Sequence, residues 1–299
     1  MAKQWLRTSR GGRVHSLYRN AVNLVDEAGE LFSVVMPPLG PGPFALQLRA
    51  APDALLSAGG FEGMLDGRVP VRMRPEVLEL GPIHVHLTDL QTWVPRPNWD
   101  GLRASLTAAT VEQLGQLLRQ VAPPGSLAPL ADGAARSLWP EGVPSEDLPA
   151  ALLHRIADLV PELLSGLSRS DRDQIWQAAS KLAGLGGGVT PAGDDFLLGA
   201  IHALWVTREA ETAQDLSNAA VEVASLRTNV VSVAWLRAAA RGEAAHEWHA
   251  LFEAVTQDLP IDRAARRLIQ RGHTSGADGL AGFLAGLQVL APALQPARS

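Results

Sequence analysis

Between about Val14 and Val94, short apolar stretches alternate with turn signals: AVNLVDEAGELFSVVM from Ala21 to Met36, then GPFALQLRA, GMLDGRVPVRM, EVLELG and IHVHLTDL. Side chains that point alternately to opposite faces predict strands here. Roughly five to eight short strands fit in this stretch, which predicts an antiparallel β barrel or sandwich. Asp66-Gly67 suits a tight hairpin turn, and Glu27-Ala28-Gly29 a longer one. Met36 to Pro43, reading MPPLGPGP, cannot sit in a ladder because proline donates no hydrogen bond, so it is expected as an exposed loop.

Beyond Trp99 the apolar positions fall three and four apart, in Leu102 to Val121, Leu148 to Leu167 and Asp173 to Leu182, which predicts helices. Ala122 to Pro144 is rich in proline, glycine and alanine and reads as a long connection with at most one short helix. The expected architecture is α+β: a β-rich domain over 1–97 followed by a larger, mainly α-helical domain over 98–299.

Composition narrows the function. The 299 residues are 46% hydrophobic and carry a net charge of only -5, with no basic block, so no nucleic-acid partner is expected. There is no cysteine, which excludes disulfides, thiolate metal sites and a cysteine nucleophile. The opening MAKQWLRTSRGG has no signal-peptide core, and Leu280 to Leu294 is too short and interrupted to span a bilayer. A cytoplasmic protein without membrane attachment is therefore expected. Lysine occurs only as Lys3 and Lys181.

The chemistry concentrates in GLGGGVTPAGDDFLLG, Gly184 to Gly199. Thr190 fits an N-cap and Pro191 the first helical position, where its missing N–H costs nothing. The backbone of Gly186, Gly187, Gly188 and Gly193, with Thr190 at the helix start, would form a nest for phosphate or carboxylate. Asp194 and Asp195 in the first turn would repel that anion unless a divalent cation lay between them, and magnesium is the cation that suits such oxygens. On a plainer view the glycines serve packing and the aspartates complement the helix dipole. The following helix is apolar almost all round, which implies buried carboxylates in need of a partner. Asp195, Gly199 and His202 share its one polar stripe.

Arg271 to Phe283, RGHTSGADGLAGF, repeats the arrangement: hydroxyls at Thr274 and Ser275, then Asp278 in the first turn of a buried helix. Gly282 and Gly286 continue a small-residue stripe that permits close helix approach. The expectation is that the two helix starts face each other, with Asp194, Asp195, His273 and Asp278 as catalytic candidates around a single pocket. Arg271, Thr274 and Ser275 join the anion-binding set, and His273 or Arg271 would stabilise developing negative charge. In Thr228 to Ser232, capping accounts for Thr228 or Asn229, and Ser232 is a further candidate. His84, His86, His246 and His249 lack a third ligand and read as surface or packing residues.

Together, GLGGGVTPAGDDFLLG, TNVVSVAWL, RGHTSGADGLAGFLAG and VNLVDEAGELFSVV resemble a bacterial family whose best-known member is the third subunit of oxamate carbamoyltransferase. Ala192 stands where that family often has serine. The resemblance implies interconversion of oxalurate plus phosphate with oxamate plus carbamoyl phosphate, in a complex with two other kinds of subunit. The alternatives are a non-catalytic scaffold subunit and a stand-alone magnesium-dependent hydrolase or transferase.

Overall fold

The computed structural model describes residues 5–6, 11–132 and 148–294. The opening residues around Lys3 and the 133–144 end of the predicted connection lie outside the described residues. The chain divides into two compact units, Met1–Pro95 with Ala244–His246, and Arg96–Glu243 with Glu247–Ser299.

The first unit holds one seven-stranded sheet: β1 (Gly11–Leu17), β2 (Ala21–Val25), β3 (Leu31–Val35), β4 (Ala45–Gln47), β5 (Pro70–Arg74), β6 (Val77–Leu80) and β7 (Ile83–His86). Its order is β4-β3-β2-β1-β5-β6-β7. Every neighbouring pair is antiparallel except β3 and β4, which run parallel because the chain crosses over through the proline-rich segment between them. That segment carries no strand, as the missing proline donors require. Glu27-Ala28-Gly29 closes the β2–β3 hairpin, with the Gly29 amide donating to Asp26 O.

Asp66-Gly67 does not join two strands. It links a short helix, α2 (Phe61–Met64), to β5, and the Asp66 carboxylate accepts the Arg68 amide in a local turn. The α2 segment and α1 (Asp53–Ser57) are helical turns inside a region whose pattern predicted strands alone. Leu55 and Phe61 from these turns enter a core with Val22, Leu24, Phe32, Val34, Leu78 and Leu80. Alternation on β6 and β7 puts Leu78, Leu80 and Val85 inside and leaves His84 and His86 exposed.

The second unit is helical: α3 (Trp99–Ser105), α4 (Ala108–Val121), α5 (Leu148–Arg169), α6 (Arg172–Leu182), α7 (Ala192–Thr207), α8 (Ala210–Ala224), α9 (Val230–Ala240), α10 (His246–Thr256), α11 (Asp262–Ile269) and α12 (Ser275–Leu290). A 3-10 turn, Ala128–Asp132, is the described helical piece of the connection after α4. Polar side chains start the helices where the sequence provides them: Thr107 caps α4, Asp171 caps α6, and Asn229 accepts the amides of Val231 and Ser232 at α9.

At the centre of this unit α7 and α12 pack against each other and are buried on nearly every side. Their glycines make the approach possible. A Cβ on Gly282 would lie 2.1 Å from Phe196 O, and one on Gly286 2.7 Å from the Ala203 Cβ. Contacts advance in the same direction along both helices, from Asp195 with Gly279, through Gly199 with Phe283, to Ala203 with Gly286, so the helices run parallel.

Candidate functional site

Parallel packing brings the two helix starts together. The loop that enters α7 turns sharply after α6. Gly186 has φ +126, and a Cβ there would lie 2.3 Å from Ala192 N, so only glycine fits. The helix begins one residue later than the Thr190 and Pro191 pattern predicts: Pro191 occupies the N-cap position with extended backbone and Ala192 is the first helical residue. Thr190 is not the cap. Its hydroxyl donates instead to Asp195 Oδ2 at 2.9 Å and lies 2.9 Å from Ser275 Oγ, the first residue of α12.

That pair of contacts ties the two motifs into one site. Thr190 and Ser275 have one hydroxyl proton each, and either can be the donor between them. Asp195 is 8% exposed, and burial pushes its carboxyl well above the usual range. The hydroxyls of Ser275 and Thr190 and the charge of Arg271 work against that rise, while the negative charge of Asp278 adds to it. A buried acid of this kind holds its proton more readily than a solvated one, and a chain of hydroxyls leads from it to the half-buried Ser275.

Asp278 is fully buried, and burial raises its pKa to about 6. Its Oδ1 accepts the Leu127 amide at 2.6 Å, which docks the segment after α4 against the start of α12. Oδ2 has no hydrogen-bond partner among the described residues.

Asp194 faces elsewhere. Neighbouring residues on a helix point about 100° apart, and its Oδ1 accepts the Gly184 amide at 2.9 Å while the Thr228 hydroxyl donates to Oδ2. Burial raises its pKa too, against the bonds from Thr228, Gly184 and Ser232. Asp194 thus clamps the glycine loop to the start of α9. The two adjacent carboxylates serve different partners, and among the described residues no three histidine, aspartate or glutamate groups gather where a metal ion could be held. Asp194 and Asp195 therefore face different partners instead of forming one shared pair.

The anion nest is smaller than the sequence implied. The amide of Gly193 donates to Leu185 O at 2.8 Å, and those of Asp194 and Asp195 donate to Pro191 O, so these three donors of the first turn of α7 are taken internally. The amides of Gly186, Gly187 and Gly188 have no such partner among the described residues, and Gly187 has nothing within 4 Å of an added Cβ. These three glycines are the open part of the loop. Thr274 is half-buried beside Asp278, whereas His273 is exposed on the turn before α12 and bonds none of the three aspartates. The structure therefore gathers Thr190, Asp195, Ser275, Asp278 and Arg271, and separates Asp194 and His273 from them.

His202 ends the polar stripe of α7 in apolar surroundings. It is 1% exposed, with ring centroids 5.6 Å from Trp99, 5.0 Å from Trp248 and 6.3 Å from Phe252, and burial lowers its pKa to about 3. Sequence reasoning missed Gly184, Thr228 and Leu127 as partners of the aspartates. Thr228 sits where capping explains it, and a backbone amide such as that of Leu127 leaves no mark in residue identity.

A family model described as oxamate carbamoyltransferase subunit AllH matches residues 182–287, and a model described as the AllH family N-terminal domain matches residues 1–92. The chain belongs to the AllH family. The AllH match takes in both helix starts together with Thr228, Ser232 and Arg271, so the gathered residues lie inside the segment that defines the family. The AllH N-terminal match covers the β-rich part. No solved structure matches the chain. No helix among the described residues is long and apolar enough to cross a membrane.

Proposed function

We propose that the chain is a cytoplasmic carbamoyltransferase subunit that binds a small carbamoyl, phosphate or carboxylate compound where the starts of α7 and α12 meet. The specific reaction is oxalurate plus phosphate to oxamate plus carbamoyl phosphate, carried out with two other kinds of subunit. The observation that carries this reading is the chain Asp195, Thr190, Ser275, together with the unbonded amides of Gly186 to Gly188 on the loop that leads to Thr190.

The reaction requires a phosphate oxygen to bond the carbamoyl carbon while the bond from that carbon to the oxamate nitrogen breaks. Hydrogen phosphate gives up a proton, and the departing nitrogen must gain one. A buried carboxyl with a raised pKa can carry that proton, and Thr190 and Ser275 supply hydroxyls through which it can pass. Glycine amides suit the phosphate, since they approach closely and add no competing negative charge.

A scaffold subunit is the second reading, favoured by the fact that Gly199, Gly282 and Gly286 are fully explained by helix packing. Reconstitution with the companion subunits separates the two. Asp195→Asn should leave assembly intact and lower carbamoyl phosphate formation at least about a hundredfold, the usual scale of a lost acid or base. Unchanged turnover in an assembled complex would refute the catalytic reading.

A further inference from the structure

Arg271 lies on the segment that leads into α12, and its guanidinium is held on two sides. Its Cζ lies over the Trp235 ring of α9, 4.8 Å from the centroid, and its Nε pairs with Glu247 Oε2 of α10 at 3.3 Å. No hydrogen bond from the terminal nitrogens Nη1 and Nη2 is found among the described residues, and the side chain is 34% exposed. The Arg271 carbonyl accepts the Gly276 amide at 3.0 Å, directly after Ser275, and the Arg271 charge favours ionisation of the Asp195 carboxyl, so Arg271 belongs to the same neighbourhood as Thr190 and Ser275.

A guanidinium is a planar fork. With Cζ against the Trp235 ring and Nε paired with Glu247, the remaining edge offers parallel N–H donors in the geometry that a carboxylate accepts bidentately. The Trp235 and Glu247 contacts have already ordered the side chain, so little rotamer entropy is left to lose on binding.

We propose that Nη1 and Nη2 of Arg271 form the carboxylate subsite of this centre, binding an oxamate-type compound bidentately while the glycine amides take phosphate. The inference rests on the function proposed above. Charge decides between the two anions at Arg271. Glu247 already offsets part of its positive charge, so a singly charged carboxylate meets less repulsion there than doubly charged phosphate. Shape agrees, because a flat two-donor edge matches a planar carboxylate better than a tetrahedral phosphate.

Calorimetry on the full-length chain with oxamate, and separately with inorganic phosphate, tests this assignment. Arg271→Lys keeps the charge and removes the fork. It should weaken oxamate at least about tenfold and leave phosphate within about twofold. Equal oxamate affinity in wild type and Arg271→Lys would overturn the subsite alone, as would a loss confined to phosphate. No oxamate binding by the wild-type chain would overturn both the subsite and the function on which it rests. Should Arg271→Lys fail to fold, Glu247→Gln provides the second arm: it frees Arg271 of its competing carboxylate and should tighten oxamate severalfold. Unchanged or weaker binding in Glu247→Gln would refute the proposal, since a purely structural Arg271–Glu247 pair predicts no gain.

Discussion

Gly199 of α7 faces Gly279 of α12 so closely that a Cβ on Gly199 would lie 1.8 Å from the Gly279 carbonyl oxygen and 2.7 Å from Phe283 N. Both obstacles are backbone, so neither can swing aside. This contact sets the distance between the helices and therefore the spacing of Thr190, Asp195 and Ser275 at their N-terminal ends.

Gly199→Ala should consequently lower stability by about 1–3 kcal/mol, since the overpacking outweighs alanine's better helix propensity. Gly115→Ala in α4 is the contrasting case. There an added Cβ meets only the flexible end of Arg119, at 3.5 Å, and the change should stabilise by about 0.5–1 kcal/mol. Urea denaturation of the two variants checks the opposite signs.

Asp194 and Asp195 should respond differently to substitution. Asp194→Ala leaves the part-buried Gly184 amide and Thr228 hydroxyl without their acceptor, which should cost about 1–3 kcal/mol. Asp194→Asn keeps one oxygen and avoids burying a charge, so its cost should be under about 1 kcal/mol and the assembled complex should keep its turnover. If Asp194→Asn abolishes turnover while Asp195→Asn does not, the roles given to the two residues are reversed.

The division into a β-rich and a helical part was legible because period two gives way to period 3.6 near Trp99, and the pattern follows burial directly. The parallel pairing of β3 and β4 was not, since a proline-rich crossing leaves strand direction open. The site was half legible. Hydroxyl, glycine and aspartate at equal spacing in two segments pointed to equivalent helix starts, and Thr190 with Ser275 shows them touching. Adjacency made Asp194 and Asp195 look like one chelating pair, whereas the turn of the helix aims them at Thr228 and Thr190 respectively. The N-cap assignment of Thr190 failed for a tertiary reason: its hydroxyl finds Asp195 and a serine 85 positions away, which no local pattern contains.

Asp278 gives a pH-dependent signature. Its pKa rises from 3.8 in an ordinary setting to about 6 in the fold, so the native state binds the proton more tightly than the unfolded chain. Its contribution to stability is therefore greatest at low pH and is lost as the pH rises through about 6, leaving a cost of about 3 kcal/mol at pH 7. Asp278→Asn removes this term, while its side-chain oxygen can still accept the Leu127 amide. Relative to wild type it should gain stability as the pH is raised from 4 to 7, by up to about 3 kcal/mol. A pH-independent difference between the two proteins would show that the Asp278 carboxyl titrates normally.

His202 supplies the opposite slope. Its ring is enclosed by Trp99, Trp248 and Phe252, neither nitrogen has a hydrogen-bond partner among the described residues, and burial together with the charge of His249 lowers its pKa from 6.5 to about 3. The unfolded chain protonates this histidine near pH 6.5, while the native state resists until about pH 3. Stability due to the neutral ring is fully present above pH 6.5 and falls as the pH drops, by about 5 kcal/mol once both states are protonated. His202→Phe retains an aromatic ring of similar breadth and removes the unpaired nitrogens, so it should match or exceed wild type at pH 7, where an unsatisfied N–H costs about 1–3 kcal/mol. Its advantage should widen steadily between pH 6.5 and pH 4. Paired urea melts across that range measure the gap directly. A constant gap would mean that the ring is not held neutral, and a wild-type protein more stable than His202→Phe at pH 7 would mean that the imidazole has a buried partner, such as an internal water, that offsets its polarity.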